Sequence, residues 1–370
     1  MQARALPEEW RTRELETQQR ALPHGRTVLS CPAPIDSGGL GRHLRELREA
    51  LVRAGEPYAC VCVGSREGSG TGCDLELAPS ALARVAAPLV RSSRAWRIWA
   101  GASDFDRSAA RRLPAGEHLL AFNGAGLAQL GAAAGWESRS LVSANSHFRN
   151  VVRQHARAYE RHPIERPWVR HMLRRNLAEY ELAQRIYVSS EYIRESFVRE
   201  GFDESLLVRF PLTPHTRFRP AAAASDSDTF DILYVGSLTV HKGVGLLVDA
   251  LARLPQDDIR LVLIGGWGTR AMRRYLERAR ERDPRISVAP GDPLARLQRA
   301  RLCVHPAWEE GFGYAPAEAL ACGVPVITSE DTGMKELIDP GRTGLVTATG
   351  DESALTDAIA AAYRGEIFRD

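Results

Sequence analysis

The chain has 370 residues, is 44% hydrophobic and 26% charged, and carries a formal net charge of +3. That length predicts about two domains, each with apolar residues enough for its own core. No window reaches the ~20 apolar residues of a membrane span, and the start of the chain is charged and Gln-rich where a secretory leader would be apolar. Collagen-like, disulfide-scaffold, disordered and integral-membrane classes are therefore excluded, and a cytoplasmic location is expected.

In chain order, Thr27–Pro32 reads as a buried strand, Gly38–Gly41 as a glycine-rich turn, and Arg42–Ala54 as a helix carrying Leu44, Leu47 and Leu51 at helical spacing. Pro57–Val63, Leu119–Phe122, Arg139–Ala144 and Arg185–Val188 are further apolar runs. Gly64–Gly72 reads as a flexible loop, because its glycines open no apolar helix. Residues 149–175 hold eight arginines against two acids, and Arg149, Arg153, Arg157 and Arg161 recur every fourth position on one helical face. Such a face is either simply solvated or meets an anionic partner such as a membrane surface. Nucleic acid is not expected, since no aromatic stacking pattern accompanies the charge. The six cysteines, at 31, 60, 62, 73, 303 and 322, form no C-x-x-C pair and read as buried free thiols in a reducing compartment. Only Lys242 and Lys335 are lysines, against 47 arginines.

Residues 1–213 carry a net +6 and residues 214–370 a net −3. Between them, Pro214–Thr229 is rich in Pro, Ala, Ser and Asp and reads as a linker. The expected organisation is one lobe over 1–213, a linker over 214–229 and a second lobe over 230–370. In the second, the short apolar runs Phe230–Val235, Arg260–Ile264, Ile286–Val288, Leu302–His305 and Val324–Thr328 alternate with helical patterns at Gly243–Leu254, Thr269–Arg282, Pro293–Arg301, Pro316–Cys322 and Met334–Ile338. Apolar strands alternating with helices predict parallel sheets covered on both faces. Ligands of such sheets bind beyond the carboxyl ends of the strands.

The densest signal is Trp308–Gly323, between two strand patterns. Gly311 and Gly313 allow a tight turn, and Pro316 suits the first turn of a helix. The amides of Gly313, Tyr314 and Ala315 would then point out of a helix start, which favours an anion. Glu310 and Glu318 flank that point. Carboxylates are poor phosphate ligands but good acceptors for sugar hydroxyls, so the pattern describes a nucleotide-sugar site.

These residues resemble the signature of the retaining nucleotide-sugar glycosyltransferases of family 4: two glutamates eight positions apart around Gly311-Phe312-Gly313, then a helix ending in Ala321-Cys322-Gly323 before Pro325-Val326-Ile327. The similarity runs from Phe230 to Val346 and includes Val235-Gly236-Ser237-Leu238 followed by Lys242-Gly243. It implies the GT-B fold, two Rossmann-like α/β lobes facing each other across a cleft, with the acceptor on the first lobe and the donor on the second. It also implies transfer of a sugar, with retained configuration, to an acceptor glycan, lipid-linked glycan or small molecule, without metal or cofactor. By resemblance, Glu310, Lys242 and His147 are expected as catalytic residues. Gly38, Gly39, Ser237, Phe312, Gly313, Tyr314, Ala315 and Glu318, together with Lys242, are expected to bind the donor. Ser237 departs from the family, which places a diphosphate-binding arginine there. Only Glu352–Tyr363 stands where the family has a long helix returning to the first lobe. A catalytically inert sugar- or nucleotide-binding partner and a nucleotide-sugar epimerase are the competing readings. A pyridoxal-phosphate phosphorylase is disfavoured, because it would need a lysine beyond Lys242.

Overall fold

The computed structural model describes residues 5–35, 37–64, 73–90, 93–221 and 229–368; the Gly64–Gly72 loop and the middle of the linker fall largely outside them. The chain forms two parallel sheets. The first contains β1 (Thr27–Cys31), β2 (Tyr58–Val63), β3 (Leu75–Leu77), β4 (His118–Phe122), β5 (Ser138–Ser143), β6 (Arg185–Val188) and β7 (Leu207–Arg209). Its order is β3-β2-β1-β4-β5-β6-β7. The second contains β8 (Phe230–Val235), β9 (Ile259–Ile264), β10 (Ile286–Ala289), β11 (Leu302–His305), β12 (Val326–Ser329) and β13 (Gly344–Thr347), in the order β10-β9-β8-β11-β12-β13. In each sheet the order reverses beside a central strand, β1 or β8. A ligand crevice forms at such a switch point, because neighbouring connections leave to opposite faces.

The strands form where the apolar runs are. β1 and β4 are buried along their whole length, and the core of the first sheet gathers Val28, Leu119, Leu141 and Ile186. The second sheet packs Ile232, Tyr234, Leu261, Leu263 and Val304 against helix Val244–Ala252 and helix Glu352–Tyr363. All six cysteines are free, five of them buried and Cys73 half-buried. Among the described residues no helix is long and apolar enough to cross a membrane.

Some elements differ from expectation for local reasons. The helix expected from Arg42 begins at Gly38, so the glycine-rich turn is its first turn. The segment 293–301 narrows to helix Leu294–Leu297, and Met334–Ile338 becomes a single 3-10 turn, Gly333–Leu337. Helix Glu8–Ala21 carries no apolar periodicity to read. It buries Glu14 and Gln18 instead, and the Gln18 amide donates to Glu46 at 3.0 Å and to the Pro211 carbonyl at 2.8 Å.

Two compact units divide the chain. One comprises residues 12–152 and 167–212. The other comprises residues 213–370, Arg153–Arg166 and the described residues up to Arg11. The first part of the expected linker packs within this second unit: Phe218 is in its core and Arg217 pairs with Asp292.

Candidate functional site

The densest motif folds into a loop and helix at the end of β11. Gly313 takes φ 96°, a left-handed conformation open to glycine, and turns the chain into helix Tyr314–Ala321 with Pro316 in its first turn. The loop before it is fixed by backbone bonds. The Glu310 amide donates to the Asp331 carbonyl at 3.1 Å, and the Gly333 amide donates to the Glu310 carbonyl at 2.9 Å. The Met334 amide donates to the Phe312 carbonyl, while the Phe312 ring packs edge-on to Tyr314 at 5.2 Å. Glu310 is thereby held at the lip of the helix start.

Lys242 arrives from the other side of β11. It ends the 3-10 turn Val240–Lys242, and Gly243 follows at φ 76°. A Cβ on Gly243 would lie 1.9 Å from the Pro306 carbonyl oxygen, so only glycine lets the two loops approach. The Lys242 ammonium donates to Glu310 Oε2 at 2.8 Å and to the Glu309 carbonyl at 3.2 Å. Both side chains of the ion pair are mostly covered, 17% and 22% exposed. His305, the last residue of β11, places Nε2 3.5 Å from the same carboxylate and stacks on Tyr234 at 5.8 Å. The motif reading missed His305; its signal was a histidine ending the strand that feeds the motif.

The electrostatics follow from this crowding. Burial alone would raise the Glu310 carboxyl, but Lys242 and His305 outweigh it and hold the group at about 2, below its ordinary 4.5. Burial would lower the Lys242 ammonium, yet Glu310 and Glu309 raise it. The site therefore presents a fixed cation and a fixed anion side by side at a helix N-terminus. The cation and the amides suit a phosphate; the carboxylate suits hydroxyls.

Glu318 lies in the body of the same helix and is 1% exposed. Cys303 and Cys322 are close enough to feel its charge; their thiols are pushed up to about 12 and about 11, first by burial and also by this carboxylate. Ser237 is exposed, and its carbonyl accepts from the Tyr234 hydroxyl at 2.9 Å. The following residue, Leu238, is bridged to Trp267 in the loop after β9, and Arg273 lies over the Trp267 ring at 5.9 Å.

In the unit of residues 12–152 and 167–212, Gly38 and Gly39 open helix Gly38–Ala54. A Cβ at either would meet nothing within 4 Å, so packing does not demand the glycines. His147 corrects an expectation. Rather than facing a ligand, it is 1% exposed, with its ring against Tyr180, Phe197 and Phe202 at 4.9–5.5 Å. Its amide donates to Ser196 Oγ, and its Nδ1 accepts from the Arg149 amide at the start of helix Phe148–Arg161. A ring so enclosed packs the core and opens a helix.

The arginine face of that helix engages the chain's own groups. Arg149 pairs with Glu200 at 3.5 Å. Arg157 donates to the Thr349 carbonyl and lies 5.5 Å over the Trp308 ring, and Arg161 pairs with Glu352 and Asp249. Gln154 donates to the Asp331 side chain at 2.8 Å. The helix thus braces the Trp308–Asp331 region. Among the described residues no group of three His, Cys, Asp or Glu is placed to hold a metal ion.

Comparison with known proteins locates the same segment. Residues 216–370 match the family model described as glycosyl transferases group 1. The chain is 28% identical over 229 residues to O-antigen chain mannosyltransferase B of Escherichia coli, covering 57% of this chain and 59% of that one; it thus spans under two thirds of that relative's length. Among solved structures it is similar to sucrose-phosphate synthase of Thermosynechococcus elongatus, at 22% identity and TM-score 0.69, over 92% of this chain and 90% of that one. It is also similar to Anabaena HepE in complex with UDP-glucose, at 16% identity and TM-score 0.59, over 93% and 91%. At these identities the likeness shows the fold, which is GT-B.

Proposed function

With residues 216–370 belonging to the group 1 glycosyl transferases, we propose that the protein is a glycosyltransferase acting in glycan biosynthesis. It moves a sugar from a nucleoside-diphosphate sugar to an acceptor hydroxyl with retention of configuration. The observation that carries this reading is the Lys242–Glu310 pair, 2.8 Å long, at the opening of helix Tyr314–Ala321.

In this reading the donor diphosphate sits against the helix amides around Gly313–Ala315 and draws Lys242 toward it. Glu310, relieved of part of its partner, accepts from the sugar hydroxyls, and Glu318 takes the ribose hydroxyls. The bond between the anomeric carbon and the phosphate oxygen breaks as the acceptor oxygen attacks from the same face, and the departing phosphate takes the acceptor proton. Charge grows on the diphosphate during that step. Lys242 and the amides are already aimed at it, and each such preorganised donor lowers a barrier by about 3 kcal/mol.

Glu310→Gln, which keeps the shape and removes the charge, is expected to lower turnover by two or more orders of magnitude without loss of fold, read in a radiolabelled sugar-transfer assay. Turnover at the wild-type rate would overturn the role given to Glu310. The exposed hydroxyl at Ser237, where the family carries a guanidinium, favours one competing reading: a chain that binds donor without using it. A nucleoside-diphosphate thermal shift with neither transfer nor hydrolysis across a panel of donors would establish that alternative.

A further inference from the structure

Four cysteines gather at one side of the first sheet. Cys31 ends β1 and pairs in register with Cys62 of β2, and Cys60 lies two positions earlier on the same strand. Alternation along a strand puts these three on one face, opposite Val28, Ala59 and Val61, which pack in the core with Leu77. Cys73 stands two residues before β3, the edge strand beside β2. The Cys60 amide donates to Asp74 Oδ2 at 2.7 Å, which holds the entry of β3 against β2. Cys73 Sγ thereby comes within 2.9 Å of Cys60 Sγ, and the Cys73 thiol also hydrogen-bonds with Cys62.

The cluster has one thiol that solvent reaches and a second in position to react with it. Cys73 is half-buried, whereas Cys31, Cys60 and Cys62 are buried, so an oxidant in solution meets Cys73 first. The Cys62 thiol is pushed up by its hydrogen bond with Cys73 and then by burial, and the Cys31 thiol first by burial. Both stay protonated, and a protonated thiol is a poor nucleophile. The sulfur nearest Cys73 is that of Cys60, and their contact exceeds the ~2.05 Å of a disulfide by less than ~1 Å. A reachable thiol beside a resolving one turns a sulfenic acid into a disulfide before it oxidises further. Cys303 and Cys322, in the other unit, are both buried and offer a comparison within the same chain.

We propose that Cys60 and Cys73 are a redox modification site, forming a reversible disulfide when the protein meets hydrogen peroxide. The Cys73 sulfur attacks the peroxide: an S–O bond forms, the O–O bond breaks, and the second oxygen leaves as water with the thiol proton. The Cys60 sulfur then attacks the Cys73 sulfenic acid. The S–S bond forms, and the hydroxyl leaves with the Cys60 proton as a second water. Two thiols have given up two electrons, and one peroxide has become two waters. A dithiol reverses the step by exchange. The bond ties the entry of edge strand β3 to β2 across 13 positions of sequence, so the stability of this unit follows its redox state. Its formation does not depend on sugar transfer.

The test treats the reduced full chain with a small molar excess of hydrogen peroxide, blocks the remaining thiols with N-ethylmaleimide and maps the peptides by mass spectrometry. One disulfide per chain is expected, joining Cys60 to Cys73, with Cys303 and Cys322 still reduced. The midpoint of thermal unfolding should rise by about 5 °C and return on adding dithiothreitol. Cys73→Ser should show neither the bond nor the rise. Cys60→Ser should leave Cys73 as a sulfenic acid that dimedone traps; if that buried substitution weakens the fold, the wild-type map and Cys73→Ser decide alone. Six reduced thiols after peroxide, a disulfide from Cys73 to Cys62, or oxidation spread evenly over all six cysteines overturns the proposal. So does a midpoint that does not rise with the bond, or one that rises equally in wild type and Cys73→Ser.

Discussion

Lys242 and Glu310 are each other's main stabilisers, and removing one leaves the other covered and unpaired. Lys242→Met is expected to cost about 3 kcal/mol at neutral pH, since a covered charge that loses its partner keeps its desolvation cost. Urea unfolding at pH 7 measures this. The sign with pH follows from the depressed carboxyl. Its stabilisation is present above the ordinary 4.5 and is lost as pH falls toward about 2. Wild type should therefore shed stability between pH 4.5 and 2, and Glu310→Gln should shed less over that window; parallel curves would contradict the assignment. His147 makes a contrasting case. With its ring closed among Tyr180, Phe197 and Phe202, His147→Ala should lower the unfolding free energy by about 2–4 kcal/mol through lost packing. It should leave calorimetric affinity for a nucleoside diphosphate unchanged, and a selective loss of affinity would restore the ligand-facing role. That Lys242 and Glu310 come together is shown by the fold, and both stand in spaced motifs that single them out in the sequence. His305 and the burial of His147 were not legible there, because a lone histidine at a strand end has no pattern that tells core from crevice.

At the scale of elements, the strands were the most legible part. Arg185–Val188, Phe230–Val235 and Leu302–His305 lie where their apolar runs place them, because a parallel strand covered on both faces buries consecutive residues along its middle. Helix Glu8–Ala21 was invisible for the converse reason, since a glutamate and a glutamine fill its buried positions. The turn between Lys242 and helix Val244–Ala252 depends on one residue. Gly243→Ala must adopt φ near 76° and push Cβ toward the Pro306 carbonyl. The expected cost is about 2–4 kcal/mol from strain and displacement together, with Lys242 moved off Glu310. Thermal unfolding reads the first effect. The second appears as a loss of transfer larger than the loss of folded protein accounts for. A fully folded, fully active Gly243→Ala would show that the close approach is not needed.

For the whole molecule, alternating apolar and amphipathic segments were enough to announce two parallel sheets. What no local pattern could announce is that Arg153–Arg166 belong with the later half of the chain. The periodicity made a helix of them, but only tertiary structure supplies Asp249, Asp331 and Glu352 as their partners. The arginine row reads from sequence as a surface in search of an anion; in the fold, much of its charge answers carboxylates distant in sequence.

That shared membership has a practical side for anyone wishing to build hybrids between relatives. The polypeptide passes between its two bodies four times, not once. A graft joined at the apparent seam would leave a borrowed half without the brace under Trp308 and with acidic side chains facing a stranger's helix. Successful hybrids should be those that transplant the residues up to Arg11 and the stretch 153–166 along with 213–370, making the natural unit of recombination a discontinuous one.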